Sequence, residues 1–551
     1  MPTITVNRKV FEKLVGKKLP IEKLKRKISY LGTDLDEITD DEITVEIFPN
    51  RPDMLSVQGF ARAFSSYIGK NVGLKEFKIN KSNEKVIIDK SVKNVRPYTV
   101  CAIVKGITYD DEKIKEVIQI QEKLHVTYGR NRKKVAIGIY PFEKIKTPIT
   151  FTAKKPNDIK FQPLESTRVM TGAQIITRHQ TGKDYGHLLE GKKLYPIFID
   201  ANNQILSMPP IVNSHTTGKI NEKTKDVFIE CSGFDFQVLE RCLNMIVTAM
   251  SEIGGKIYSM ELIYPDKKYV TPNLSTTEMK VDLKYINKLL GLDFTDKDLK
   301  KYLERMGYGY KNKTAIIPSY RADIMHQSDL AEDIAIAYGY DNFEPIIPNV
   351  ATIGQEAPFE VFKNKISNIL VGLGLQEVNT SNLTNENNQA TKMNVKIPLI
   401  ELANSLSAEY DVLRAWVLPS MIEVFKNNKH HDYPQKIFGI GTVFKKNTKP
   451  EFDTNIEENE RLSVAITSEK SDFTEIKQVL AYLFAQIDCE FNIEETKHDS
   501  FIPGRVARAK VNNKKVAYIG EISPIVLENF SLEMPVCAFE LNLTELFKCL
   551  K

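Results

Sequence analysis

The sequence is poor in the features that announce a chemistry on their own. Its six cysteines are scattered as Cys101, Cys231, Cys242, Cys489, Cys537 and Cys549. None forms a Cys-x-x-Cys pair, which argues against a zinc site or a disulfide framework and for reduced thiols in a cytoplasmic protein. No apolar run approaches the ~18 residues of a membrane span. The start, MPTITVNRKVFEKL, has no apolar signal region. Neither sign of charge dominates: 76 Lys and Arg stand against 71 Asp and Glu, a net charge of +5. That permits RNA contact without arguing for it. There is no G-x-G-x-x-G, no G-x-S-x-G and no His-Glu-x-x-His. GHLLEGKK (186–193) approaches a phosphate-binding loop, but Lys193 stands where Ser or Thr would hold Mg²⁺, and no apolar strand precedes it. His430-His431 is the one His cluster and lies in a polar connector.

What is present is ordinary globular material. The 551 residues, 42% hydrophobic and 27% charged, predict three to five domains at ~150 residues each. Residues 1–85 read as a small α/β unit. A strand at 3–6, a basic helix at 20–31 and a strand at 43–48 lead into Pro49-Asn50-Arg51-Pro52-Asp53, and Ser56 caps a helix ending near Gly69. The run KINKSNEK near residue 80 reads as a linker. Residues 86–265 read as a larger mixed domain with strands at 95–107, around Ala201-Asn202-Asn203 and at 228–230, a basic turn feeding a buried strand within 129–145, and helices at 114–128 and 236–253. Residues 266–345 read as two helices, two strands and an acidic helix, an order that suits a winged-helix-like module. Residues 350–551 read as a domain whose hairpins predict an antiparallel sheet. The fold class expected is α+β, multidomain.

The acidic helix, expected over 329–338 and stopped by Gly339, is the most suggestive stretch. Asp329, Glu332 and Asp333 share one face at i, i+3 and i+4, and Asp323 lies just upstream behind Arg321. Four converging carboxylates need a cation or a basic partner, and oxygen-only ligands suit Mg²⁺. Acidic residues in a first turn also simply suit the helix dipole, and on spacing alone that plainer reading is the stronger. Ile336, projecting among the carboxylates, leans the other way, towards a covered face.

Six stretches together carry a resemblance: FPNRPDMLSVQGFAR (48–62), IGIY (137–140), LSMPPIVNS (206–214), SYRADI with DLAEDIAIAYGYDN (319–342), KIFGIGTVF (436–444), and FIPGRVARA with YIGEISP (501–509, 518–524). In this order they resemble the β subunits of phenylalanine–tRNA ligases of the archaeal and eukaryotic type, over essentially the whole chain. The resemblance implies a B1 domain (1–85), a B3/B4 editing-type domain (86–265), a B5 domain (266–345) and a C-terminal domain shaped like a class II synthetase core (350–551). It implies a partner α subunit carrying the aminoacylation site, an (αβ)₂ assembly, and ATP and tRNA(Phe) as substrates of the complex. It also implies Mg²⁺ shared with the α subunit and held by Asp323, Asp329, Glu332 and Asp333, which reverses the preference for the plainer reading. Bacterial relatives carry a further C-terminal tRNA-binding domain. The chain ends at Lys551 without one, so tRNA docking is expected to rest more on the α subunit.

The C-terminal core is expected to be inert. A working class II core needs a Phe-Arg-x-Glu at the end of a strand, and this chain has Phe444-Lys445-Lys446-Asn447. Lysine cannot supply the bidentate fork of arginine, and Asn447 removes the carboxylate. The Gly-rich third motif is missing too. The helix and strand over 359–382 are the expected interface with the α subunit.

The B3/B4 domain is where family members hydrolyse tRNA mischarged with tyrosine. A pocket for phenylalanine excludes an isostere with one extra hydroxyl only by ~10², so a second site that binds the hydroxyl is needed. Ser207, Asn213 and Glu230 are the candidate editing residues, positioning water rather than forming a covalent intermediate, since no Ser/His/Asp or Cys/His constellation is visible. Equally, they are plain turn and strand-end residues. Arg130, Arg132, Lys133 and Lys134 form a basic turn for the tRNA backbone, or a solvated one. Two other functions are weighed: a stand-alone RNA-binding or regulatory protein built on a degenerate synthetase core, and a free-standing Mg²⁺ hydrolase using the acidic cluster.

Overall fold

The Ser56 hydroxyl accepts the Gly59 amide at 3.0 Å and starts the helix Val57–Tyr67. With the helices Arg8–Val15 and Ile21–Tyr30 it covers a three-stranded antiparallel sheet ordered Thr3–Asn7, Glu42–Ile47, Thr33–Ile38. Phe11 stacks on Phe60 and meets Phe64 at a tilt where these helices meet. The computed structural model describes residues 2–350 and 353–550. It divides into two compact units, Met1–Ile347 and Pro348–Lys551.

The linker expected near residue 80 is a correction. KINKSNEK holds the strand Ile79–Asn80 and the start of Lys85–Ile88. The first pairs in parallel with Ile257 and Tyr258, the second with residues of Ile149–Lys154 and Met260–Ile263. A boundary at 85 therefore cuts into the second domain's sheets. These strands looked like linker because they are short and expose every second side chain: Lys85 and Ile87 face out, while Val86 and Ile88 are buried.

That second domain is built on two sheets. A five-stranded sheet runs Ile79–Asn80, Lys256–Tyr258, Tyr98–Lys105, Val227–Gly233, Val135–Pro141. A seven-stranded sheet runs Val212–Asn213, Ile205–Met208, Tyr195–Ile199, Ile149–Lys154, Lys85–Ile88, Met260–Ile263, Lys268–Thr271. The helices Asp111–Val126 and Phe236–Glu252 pack on the first sheet through Leu124, Leu239, Leu243 and Ile246. The third region has the expected helices, Leu283–Leu290 and Asp296–Arg305, the second opened by a reciprocal Thr295/Asp298 capping box. Its sheet gains a third strand that the pattern did not show, Thr277–Lys280. One continuous apolar core runs through all three regions of this unit.

The second unit is a seven-stranded sheet ordered Gln376–Glu377, Gln435–Lys446, Ile456–Thr467, Val536–Asn542, Lys514–Ile522, Phe501–Val511, Asn492–Glu495. It is antiparallel except at its first edge. The expected strand 376–382 covers only its first two residues, because Arg414 takes the carbonyls of Thr380 and Ser381 that a longer strand would offer to a neighbour. The helices Pro358–Gly372, Phe473–Gln486 and Leu543–Leu550 cover one face through Leu370, Leu480 and Leu546. Leu418–Asn428 and Pro524–Asn529 cover part of the other through Met421 and Val526.

Candidate functional site

Glu230 lies in mid-strand on Val227–Gly233, opposite Gly138, and is 2% exposed. The missing side chain of Gly138 leaves room for a phenol: a Cβ there would collide with the Tyr140 hydroxyl. That hydroxyl stands 3.2 Å from Glu230 Oε1 and 3.3 Å from Asn213 Oδ1, and donates its one proton between them. Ser207 pairs with Asn213 in register on the adjoining strand and sits beside Tyr140. Ser207, Asn213 and Glu230 thus gather around one phenol, Tyr140, which no sequence pattern marks out.

Two atoms of this cluster are buried without a hydrogen-bond partner among the described residues, Glu230 Oε2 and Ser207 Oγ. Such atoms cost free energy unless a ligand or water meets them. Asn213 and Glu230 line a cavity of about 110 Å³ together with Gln121, Glu122, His125 and Arg132. Burial pushes the Glu230 carboxyl up to about 8, against the Arg96 charge and the Tyr140 and Ser232 hydroxyls. At neutral pH it is mostly a neutral acid, able to donate to a ligand or water as well as accept.

His125 and Arg132 build the wall. His125 Nε2 accepts the Ile137 amide at 2.7 Å, so Nδ1 holds the proton and gives it to Glu122 at 3.2 Å. Burial lowers the His125 pKa and keeps the ring neutral, against the pull of Glu122. Burial opposes ionisation of Glu122 too, but His125 and Arg132 hold its carboxyl down to about 2. Arg132 corrects the basic-turn expectation. It folds back, donating to the carbonyls of Pro210 (3.3 Å) and Ile211 (2.9 Å), and lies over the Tyr185 ring at 4.2 Å. Arg130, Asn131 and Arg132 all take positive φ, 48°, 51° and 64°, a costly run for residues with a Cβ. Arg130, Lys133 and Lys134 remain exposed.

The acidic helix Gln327–Tyr338 forms as expected, but its four carboxylates do not converge. Arg321 stands between two of them: Nε and Nη2 clasp Asp323 at 2.9 and 2.7 Å, and Nη2 also reaches Asp333 at 2.8 Å. Tyr308 donates a short hydrogen bond to Asp333 as well. Asp329 is spent partly on the helix start, where its Oδ2 accepts the Met325 and His326 amides. Glu332 points out and meets Tyr340 at 3.0 Å. Neighbouring positions on a helix are ~100° apart, so Glu332 is exposed while Asp333 is buried. Among the described residues no group of three or more His, Cys, Asp or Glu is close enough to hold a metal ion. A mostly hydrated Mg²⁺ needs only one or two carboxylates, and Asp329 and Glu332 are the two of the four that Arg321 does not engage. Asp323 and Asp333 serve a guanidinium instead.

In the second unit Lys445 and Lys446 end the strand Gln435–Lys446, and Asn447 donates to Glu457 at 2.8 Å. Nothing in that turn offers a bidentate fork.

Comparison with known proteins bears on both units. Family models match three regions: "Phe-tRNA synthetase beta subunit B1 domain" over residues 1–70, "tRNA synthetase B5 domain" over 279–340 and "Phenylalanyl tRNA synthetase beta chain CLM domain" over 344–543. The phenylalanine–tRNA ligase β subunit of Pyrococcus abyssi is 41% identical over 558 residues, covering 100% of each chain. That of Archaeoglobus fulgidus is 38% identical over 556 residues, covering 99% of each. The chain belongs to the phenylalanine–tRNA ligase β subunit family. A crystal structure of an N-terminal fragment of the phenylalanyl-tRNA synthetase β subunit from Pyrococcus horikoshii matches with a TM-score of 0.59 at 39% identity, covering 61% of this chain and 99% of that one. No helix among the described residues is long and apolar enough to cross a membrane.

Proposed function

We propose that this β subunit works with an α subunit in an (αβ)₂ phenylalanine–tRNA ligase in the cytoplasm. The α subunit performs Phe + ATP + tRNA(Phe) → phenylalanyl-tRNA(Phe) + AMP + pyrophosphate, and this chain removes tyrosine attached in error. Support for the division of labour comes from the Lys445-Lys446-Asn447 turn, which lacks the groups an ATP-activating core needs. The helix Pro358–Gly372 exposes Val361 and Val371, apolar surface suited to a partner.

The editing reading is carried by one observation, the meeting of Tyr140, Asn213 and Glu230 at a cavity with an unsatisfied Glu230 oxygen. A tyrosyl hydroxyl entering there meets an amide and a neutral carboxylic acid, which accept from it and donate to it. Phenylalanine would leave these groups unpaired, and that asymmetry rejects the missing hydroxyl strongly. Polar groups of the wall, Gln121 among them, position a water. The water attacks the tyrosyl ester carbon, the ester C–O bond breaks, and tyrosine and tRNA(Phe) leave.

The Mg²⁺ site belongs to the same proposal. The resemblance assigns it to Asp323, Asp329, Glu332 and Asp333. Asp329 and Glu332 have the outward position to hold the ion through water, while Asp323 and Asp333 hold Arg321 in place beneath them. Bound there, Mg²⁺ supplies charge neutralisation at a face meeting the α subunit.

The test is deacylation of tyrosyl-tRNA(Phe) by the purified complex. Hydrolysis is expected with the native chain, and a loss of roughly 10²-fold or more with Glu230→Ala. Phenylalanine attachment should be unchanged. Equal hydrolysis by native and variant complexes would overturn the reading.

A further inference from the structure

The second unit carries a cavity of about 350 Å³ that no step above uses. It lies on the sheet face left uncovered by Leu418–Asn428 and Pro524–Asn529. The strand register sets Arg508, Tyr518, Glu540 and Ser463 in one row across four strands, with Arg461 two residues along from Ser463 on the same face. The size is within the range of small-molecule sites.

Its charges are unbalanced. Arg508, Lys515, Lys445 and Arg461 line it against a single carboxylate, Glu540. Glu540 is already spent: Oε2 accepts the Val417 and Leu418 amides at 3.0 and 2.8 Å, and Oε1 accepts Arg461 at 2.9 Å. Arg508 has no hydrogen-bond or carboxylate partner among the described residues; its guanidinium rests on the Tyr518 ring at 3.8 Å. Arg508, a half-buried cation without an anion, and the exposed Lys445 and Lys515 at the rim favour a negatively charged ligand.

Its walls are aromatic. Tyr518 meets His498 at 4.7 Å, and His498 meets Trp416 at 5.6 Å. Trp416 Nε1 is committed to the Gln389 carbonyl, leaving its ring as an apolar surface. A planar ring with an anionic tail fits both halves of the cavity. An amino acid does not, because its ammonium group would find no free carboxylate.

We infer that this cavity binds a nucleoside phosphate, its base against the Trp416–His498–Tyr518 wall and its phosphate on Arg508, Lys515 and Lys445. The site binds without performing chemistry, since the Lys445-Lys446-Asn447 turn lacks the activating groups.

Trp416 is the only tryptophan in the chain, so it reports on the cavity directly. The purified full-length chain is titrated with AMP at low ionic strength, following Trp416 fluorescence. Saturable quenching with Kd below about 1 mM is expected. Arg508→Gln and Lys515→Gln should each weaken it roughly tenfold. Lys515 is exposed, so its variant tests the site even where Arg508→Gln fails to fold. Phenylalanine should give no saturable change. Absence of saturable quenching by AMP, equal affinity in the Lys515 variant, or saturable quenching by phenylalanine each overturns the inference.

Discussion

The Tyr140 hydroxyl donates a hydrogen bond to Glu230 across neighbouring strands at 3.2 Å, over a position where Gly138 supplies no side chain. The pair couples a neutral acid to a cavity wall, and the IGIY stretch owes its glycine to it. Tyr140→Phe removes the donor while keeping the ring stacked on Phe228. We expect tyrosyl-tRNA(Phe) hydrolysis to fall about tenfold with phenylalanine attachment unchanged, measured as separate rates on the purified complex.

Gly138→Ala should be more severe than its one added methyl suggests. The new Cβ meets the Tyr140 hydroxyl, so the ring must leave the Glu230 corner. Overpacking of this kind costs about 1–3 kcal/mol. Thermal unfolding should show that loss, and the double variant Gly138→Ala/Tyr140→Phe should recover part of the stability but none of the hydrolysis.

Stability should fall as pH rises through the Glu230 range. Burial raises this carboxyl to about 8 from an ordinary value of 4.5. Its contribution is therefore fully present below about pH 4.5 and lost progressively as pH approaches about 8, because ionisation is disfavoured only in the folded chain. At about 1.4 kcal/mol per pH unit this amounts to several kcal/mol. Glu230→Gln should flatten denaturant-derived stability between about pH 5 and 8, relative to the native chain.

Much of this site was legible and part was not. The proximity of Ser207, Asn213 and Glu230 was readable, because polar residues beside a Pro-Pro loop and a strand stand out. Tyr140 was not, because its role depends on the register that sets Gly138 opposite Glu230. The basic turn misled because sequence shows charge but not direction, and Arg132 bends inward to two carbonyls. The helix Gln327–Tyr338 was readable to within two residues, whereas the separation of its carboxylates was not. Arg321, two residues before Asp323, takes the place a cation was expected to fill. Short paired segments such as Ile79–Asn80 carry too few residues for any periodicity.

Arg321→Ala should damage the fold rather than the chemistry. It leaves Asp333, 4% exposed, and Asp323 without their cation, a loss of about 3–5 kcal/mol. Asp329→Ala should cost only about 1 kcal/mol, the value of a helix cap, yet weaken Mg²⁺ retention and assembly with the α subunit. Calorimetric unfolding of the two variants, with metal content of the complex, separates these outcomes.

The measurement that tests the account most directly is phenylalanine-dependent ATP–pyrophosphate exchange, run on the purified chain alone and after co-expression with its α subunit. Silence alone and exchange in the complex are expected from a core ending in Lys445-Lys446-Asn447. Exchange by the isolated chain would contradict the account.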